Sequence, residues 1–139
     1  MTEARTCTVE YIDHVGVAVK DIEEAMAFFH QTFGVAPSQV TELPEQGVKA
    51  TLLTVGQTRL ELLQPLGPET PVGRFLESRG EGLHHLAFHV ANVSEDLAAL
   101  NSKGLRLIDQ KPREGLSGLI AFIHPRSVHG ILTELVQTS

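Results

Sequence analysis

Residues 11–19 alternate between the two faces of an extended chain and are rich in β-branched side chains, which predicts a strand. The period then changes. Ile22, Met26, Phe29 and Phe33 recur at helical spacing on one apolar face. Asp21 precedes them with Glu24 three residues on, the spacing of a capping box, and Gly34 ends the helix. Strand patterning returns over 48–55 and 58–64, two strands joined as a hairpin across Gly56-Gln57. Thr70-Pro71 opens a short helix through Glu77, with proline at its favoured first position. The order then starts again. A strand over 84–90 leads to a helix over 94–103, capped by Ser94 and ended by Gly104, followed by strands near 105–110, 118–124 and 130–137.

The second series is a copy of the first. Ile12-Asp13-His14-Val15-Gly16-Val17-Ala18-Val19 superposes on Leu83-His84-His85-Leu86-Ala87-Phe88-His89-Val90, so that His14 falls on His85, 71 positions later. Asp21-Ile22 then meets Asn92-Val93. Leu60-Glu61-Leu62-Leu63-Gln64 meets Thr133-Glu134-Leu135-Val136-Gln137 at an offset of 73. Near-constant offsets in separate blocks mark a duplicated unit of about 70 residues. The fold class expected is α+β: two tandem βαβββ modules pairing into a curved, barrel-like mixed sheet around a metal cleft. One domain spans 1–139, with module 1 over about 10–66, a connecting helix over about 70–79 and module 2 over about 82–137.

Strand parity sorts the side chains. His14, Gly16 and Ala18 share one face, and Val15, Val17 and Val19 the other, where they pack on the helix. In the second unit His85, Ala87 and His89 take the corresponding face and His84 points away. Glu61 and Glu134 stand at matching positions in apolar surroundings, where an unpaired carboxylate is costly. Two histidines and two glutamates related by the repeat suit one divalent ion per chain, such as cobalt, zinc, manganese, nickel or magnesium, with two positions of an octahedral ion left open.

Composition narrows the classes of function. The chain is 42% apolar with a net charge of −6, an ordinary globular balance that argues against nucleic-acid binding. No apolar run reaches the length of a membrane span, and Met1-Thr2-Glu3-Ala4-Arg5 lacks the apolar core of a signal peptide. Cys7 is the only cysteine and reads as a bystander, so no intramolecular disulfide forms and a cytoplasmic location is expected. Residues 1–70 hold ten acids against four Lys/Arg, whereas 71–139 hold seven of each. Cations for an anionic ligand are therefore expected from the second half.

The chain resembles the vicinal-oxygen-chelate superfamily and, within it, the methylmalonyl-CoA epimerases over nearly its whole length. The segments that carry the resemblance are Ile12 to Val19, Leu43-Pro44-Glu45-Gln46-Gly47-Val48, Glu61-Leu62-Leu63-Gln64-Pro65-Leu66, Gly82-Leu83-His84-His85-Leu86-Ala87-Phe88, Phe122-Ile123-His124-Pro125 and Gly130-Ile131-Leu132-Thr133-Glu134-Leu135. The Pro-Glu-Gln-Gly and His-Pro segments are the more particular to the epimerases. The resemblance implies His14, Glu61, His85 and Glu134 as metal ligands, a CoA thioester substrate and a homodimer. It also implies interconversion of (R)- and (S)-methylmalonyl-CoA by C2 proton abstraction and return through a metal-stabilised enolate. Some members carry a carboxylate three residues beyond the glycine of Pro-Glu-Gln-Gly, proposed as one base. This chain has Ala50 there, which leaves Glu134, Glu45 or water as the base on that side. Lys111, Arg113 and Arg126 are the cations available for CoA phosphates. His89 could line the cleft, His30 reads as an exposed helix residue, and His124 and His129 receive no role. Two other readings compete: a glyoxalase I-like lyase on the same scaffold, and a metal-free small-molecule binding protein. Four retained ligand-type side chains weigh against the second.

Overall fold

The computed structural model describes residues 6–138, so the signal-peptide reading of Met1 to Arg5 lies outside the described residues. The chain is α+β, as expected, with eight strands and three α-helices among the described residues. The strands are β1 (Val9–Ala18), β2 (Thr41–Leu43), β3 (Val48–Val55), β4 (Thr58–Pro65), β5 (Gly82–Val90), β6 (Arg113–Glu114), β7 (Gly118–Ile123) and β8 (Thr133–Thr138). The helices are α1 (Ile22–Phe33), α2 (Pro71–Arg79) and α3 (Val93–Ser102). By contact the described residues divide into His14–His84 and a second half formed by residues 85–138 together with residues 6–13.

In the first half β4 lies between β1, which it joins in parallel, and β3, which it joins antiparallel; β2 pairs with the far edge of β3. The valine side of β1 receives α1: Val19, Ile22, Leu53 and Leu62 are buried together, with Val17, Ala25, Met26 and Phe29 against them. Each such aliphatic side chain contributes about 1.5–3 kcal/mol when fully buried. Phe33 does not belong to that face. It is 66% exposed and rests on Phe28 and Phe29, because the last helical turn projects past the apolar cluster. The Asp21 side chain accepts from the Glu24 N–H, and Gly34, at φ 70°, closes the helix in the left-handed conformation.

The second half repeats this plan. β8 joins β5 in parallel and β7 antiparallel, with β6 on the far edge of β7. Val90, Val93, Leu97, Ala121, Ile123 and Leu135 form its core under α3, and half-buried Cys7 packs against it. Two expectations need correction. The cap of α3 is Asn92, whose side chain accepts from the Glu95 N–H, and not Ser94; the repeat had already set Asn92 on Asp21. Residues 105–110 are not a strand. Only Leu107 bridges Ile123, and the Phe122 carbonyl accepts from both Ile108 and Asp109, an irregular pairing that breaks the ladder. The regular edge strand is the later, two-residue β6.

The duplicated glutamines have a structural task. Gln64 Oε1 accepts from the Ile22 N–H and Gln137 Oε1 from the Val93 N–H, both at 2.9 Å, so each closing strand holds the first turn of its own module's helix. Gln64→Ala and Gln137→Ala should each cost about 1 kcal/mol in urea denaturation of the metal-free protein, as should Asn92→Ala. Ser94→Ala should stay within about 0.5 kcal/mol. Equal costs at Asn92 and Ser94 would contradict the cap assignment.

Candidate metal centre

Backbone register brings a histidine and a glutamate together in each half. In β1 and β4 the parallel register sets Gly16 beside Glu61, so the Glu61 side chain shares a face with Gly16 and, two residues back, His14. The small Gly16 leaves room for both. His14 Nε2 lies 3.5 Å from Glu61 Oε1, and the two residues are 3% and 7% exposed. In the second half Ala87 stands beside Glu134, with the same consequence. His85 Nε2 lies 3.3 Å from Glu134 Oε1, and both are buried. Each of the four residues offers a ligand atom, and these atoms all lie within 4.8 Å of one another.

The donor set fits a divalent ion. Ligand atoms about 2.1 Å from one ion stand about 3 Å apart when adjacent and about 4.2 Å apart when opposite. The observed separations lie in that neighbourhood. Two imidazoles with two carboxylates are borderline donors suited to first-row divalent ions, and the two carboxylates cancel the ion's charge inside a buried setting.

The adjacent histidines separate as strand parity requires. His85 is buried on the glutamate side, whereas His84 packs its ring on Phe75 of α2, with centroids 4.9 Å apart and planes at 76°. His85 itself meets the ring of Phe122, centroid to centroid 5.4 Å at 87°. Phe122 lies directly opposite Glu134 in the β7–β8 ladder and so shares its face. Ala87, Ile120 and Val136 complete an apolar floor with Phe122.

The remaining candidates are placed as follows. Ala50 is fully buried and opposite Leu63, on the Glu61 side of the sheet, so the position where some family members carry a carboxylate is apolar here. Glu45 is exposed on a 3-10 turn, Pro44–Gln46, that ends at Gly47. Gly47 has φ 71°, and a Cβ there would come within 2.7 Å of Thr70, which gives the Pro-Glu-Gln-Gly segment its need for glycine. His89 shares the strand face of His85 but is engaged at both nitrogens, by Glu10 at 2.8 Å and Thr138 at 2.9 Å, with Tyr11 stacked on it at 4.5 Å. His124 caps the turn Pro125–Ser127: its Nδ1 accepts from the Arg126 N–H, and loss of solvent, then Arg106 and Arg126, hold its imidazole below the usual histidine range. His30 is exposed, as expected. His129 adopts a positive φ of 52° in the turn before β8. Lys111 and Arg126 are exposed, whereas Arg113 is half-buried and paired with Asp109. Asp109 and Phe122 were not singled out in the sequence. Only the place of Phe122 opposite Glu134 could have signalled it, and that needs the register.

Residues 13–122 match the model of the glyoxalase/bleomycin resistance protein/dioxygenase superfamily. The mitochondrial methylmalonyl-CoA epimerase of Mus musculus is 37% identical over 91% of this chain and 72% of its own length. The ethylmalonyl-CoA/methylmalonyl-CoA epimerase of Cereibacter sphaeroides is 33% identical over 91% of this chain and 96% of its own. A solved methylmalonyl-CoA epimerase in complex with methylmalonyl-CoA and ammonium superposes with a TM-score of 0.91, at 37% identity over 95% of this chain and 96% of that one. With its duplicated strand–helix–strand plan and paired His/Glu positions, the chain belongs to the glyoxalase/bleomycin resistance protein/dioxygenase superfamily and, within it, to the family of the methylmalonyl-CoA epimerases.

Proposed function

We propose that the protein is an isomerase that interconverts (R)- and (S)-methylmalonyl-CoA, with His14, Glu61, His85 and Glu134 holding one divalent ion. The observation that carries this reading is the buried group of two histidines and two glutamates, in a chain of the epimerase family. A divalent ion bound there would act as a Lewis acid, polarising the thioester carbonyl and acidifying the proton at C2. His14 and His85 contribute neutral imidazole nitrogens, and Glu61 and Glu134 the balancing negative charge. The apolar floor of Ala87, Ile120, Phe122 and Val136 keeps water from the reacting carbon. Epimerisation needs a proton taken from one face of C2 and returned to the other. Glu134 is the carboxylate we assign to one of these transfers; Glu45, exposed on its turn, is assigned none.

A homodimer and a reducing, cytoplasmic location belong to the same proposal, the second resting on the lone Cys7. Among the described residues no helix is long and apolar enough to cross a membrane.

The test is incubation of one stereoisomer of methylmalonyl-CoA with the metal-loaded protein in deuterated water. Deuterium should enter at C2 as chirality is lost. Retained chirality and no exchange, at full metal occupancy, would overturn the epimerase reading and direct the next assay to a glutathione hemithioacetal, the substrate of the lyase alternative.

A further inference from the structure

The substrate proposed above is a carboxylate as well as a thioester, and one cation of the second half is built into the ligand-bearing face. β6 pairs Arg113 with Ile120, β7 pairs Ile120 with Val136, and β8 pairs Val136 with His89 of β5. Paired residues in a sheet point to the same side, so Arg113 projects from the face that carries His85 and Glu134. Its guanidinium carbon lies over the Phe122 ring, 5.6 Å from the centroid, and the edge-on partner of that ring is His85. The guanidinium is therefore two ring contacts from a proposed ligand.

Its position is fixed from behind. Asp109 Oδ1 holds Arg113 Nε at 3.2 Å, and the other oxygen of Asp109 accepts the Phe122 N–H at 2.8 Å. One carboxylate thus clamps both the arginine and the strand beneath it. Nε is buried and meets Asp109 as an ion pair without hydrogen-bond geometry, and one face of the guanidinium lies on Phe122, so the two terminal nitrogens are the donors for an anion, and the side chain keeps 38% of its surface open. In the other half the repeat-related position carries no cation. The residue paired with Ala50, as Arg113 is with Ile120, is Thr41.

We infer that Arg113 is a specificity-determining residue that binds the free carboxylate at the acyl end of the thioester and so selects carboxy-acyl over simple acyl chains. The inference rests on the function proposed above. CoA also offers phosphates, but an extended pantetheine arm carries them well beyond two ring contacts from the acyl group, which favours the carboxylate.

Arg113→Met keeps the aliphatic stem on Phe122 and removes the charge, and Arg113→Lys keeps the charge without the planar fork. Epimerisation would be measured with methylmalonyl-CoA and with methylmalonyl-pantetheine, which retains the carboxylate and lacks every phosphate. Arg113→Met should lower kcat/KM about 10- to 100-fold on both substrates, with Arg113→Lys recovering part of the loss. Zinc or cobalt affinity, titrated without substrate, should stay within about threefold of wild type in both variants, because Arg113 binds substrate and not the ion. A kcat/KM within about threefold of wild type would overturn the inference. A loss confined to the CoA thioester would assign Arg113 to a phosphate instead, and a loss of metal affinity in step with activity would make its role structural. Wild-type protein inactive on both substrates would sink the epimerase reading itself, a result distinct from any of these.

Discussion

Replacing His85 with alanine is expected to cost the protein its metal and its activity together, while replacing His84 leaves both largely intact. The two residues are neighbours in β5, so they leave the strand on opposite sides. His85 is buried with its Nε2 3.3 Å from Glu134, whereas His84 is spent on the ring of Phe75. His85→Ala leaves three ligands and a cavity in a buried site. Its metal affinity should fall by more than the roughly 10–100-fold typical of changes outside a ligand set. His84→Ala should stay inside that range. Metal content after gel filtration, with circular dichroism as a check on folding, separates the two. A His84 variant without metal beside a metal-loaded His85 variant would mean that the register of β5 is wrong by one residue.

Glu134→Gln is expected to reduce turnover by roughly 10²–10⁴-fold even with metal supplied in excess, the range for loss of a positioned proton carrier. Glutamine keeps the volume and one ligand oxygen but cannot take a proton at C2. Glu45→Gln, on the exposed turn, should stay within about threefold, since surface changes away from the site rarely matter. The comparison is informative because Ala50 removes the carboxylate that some relatives carry on the Glu61 side. Were Glu45→Gln to lose turnover with metal bound and Glu134→Gln to keep it, the proton transfer would belong to Glu45.

The duplication made the site legible. Neither His14 nor Glu134 signals a ligand alone, but the offset sets His14 on His85 and Glu61 on Glu134, and the structure gathers all four. Parity then separated His84 from His85, because alternation in a strand is a local property. Other features lay outside its reach. β6 is two residues long and has no period to detect, and the alternation of Leu105 and Leu107 comes from packing against the core rather than from a ladder. Asn92 and Ser94 are both good caps by composition, and only the repeat favoured Asn92. The Asp109–Arg113–Phe122 cluster depends on the path of an irregular segment beside β7, which no periodicity encodes.

Titration of the metal-free protein with cobalt or zinc asks whether the paired histidines and glutamates act as one site. Saturation should come at one ion per chain, and the site should be lost in His14→Ala and His85→Ala alike, since each variant leaves three ligands, with one half reduced to its glutamate. Failure to bind any ion after reconstitution would contradict it and favour the metal-free binding protein. So would an ion that still binds wild-type tight when one of the two histidines is gone.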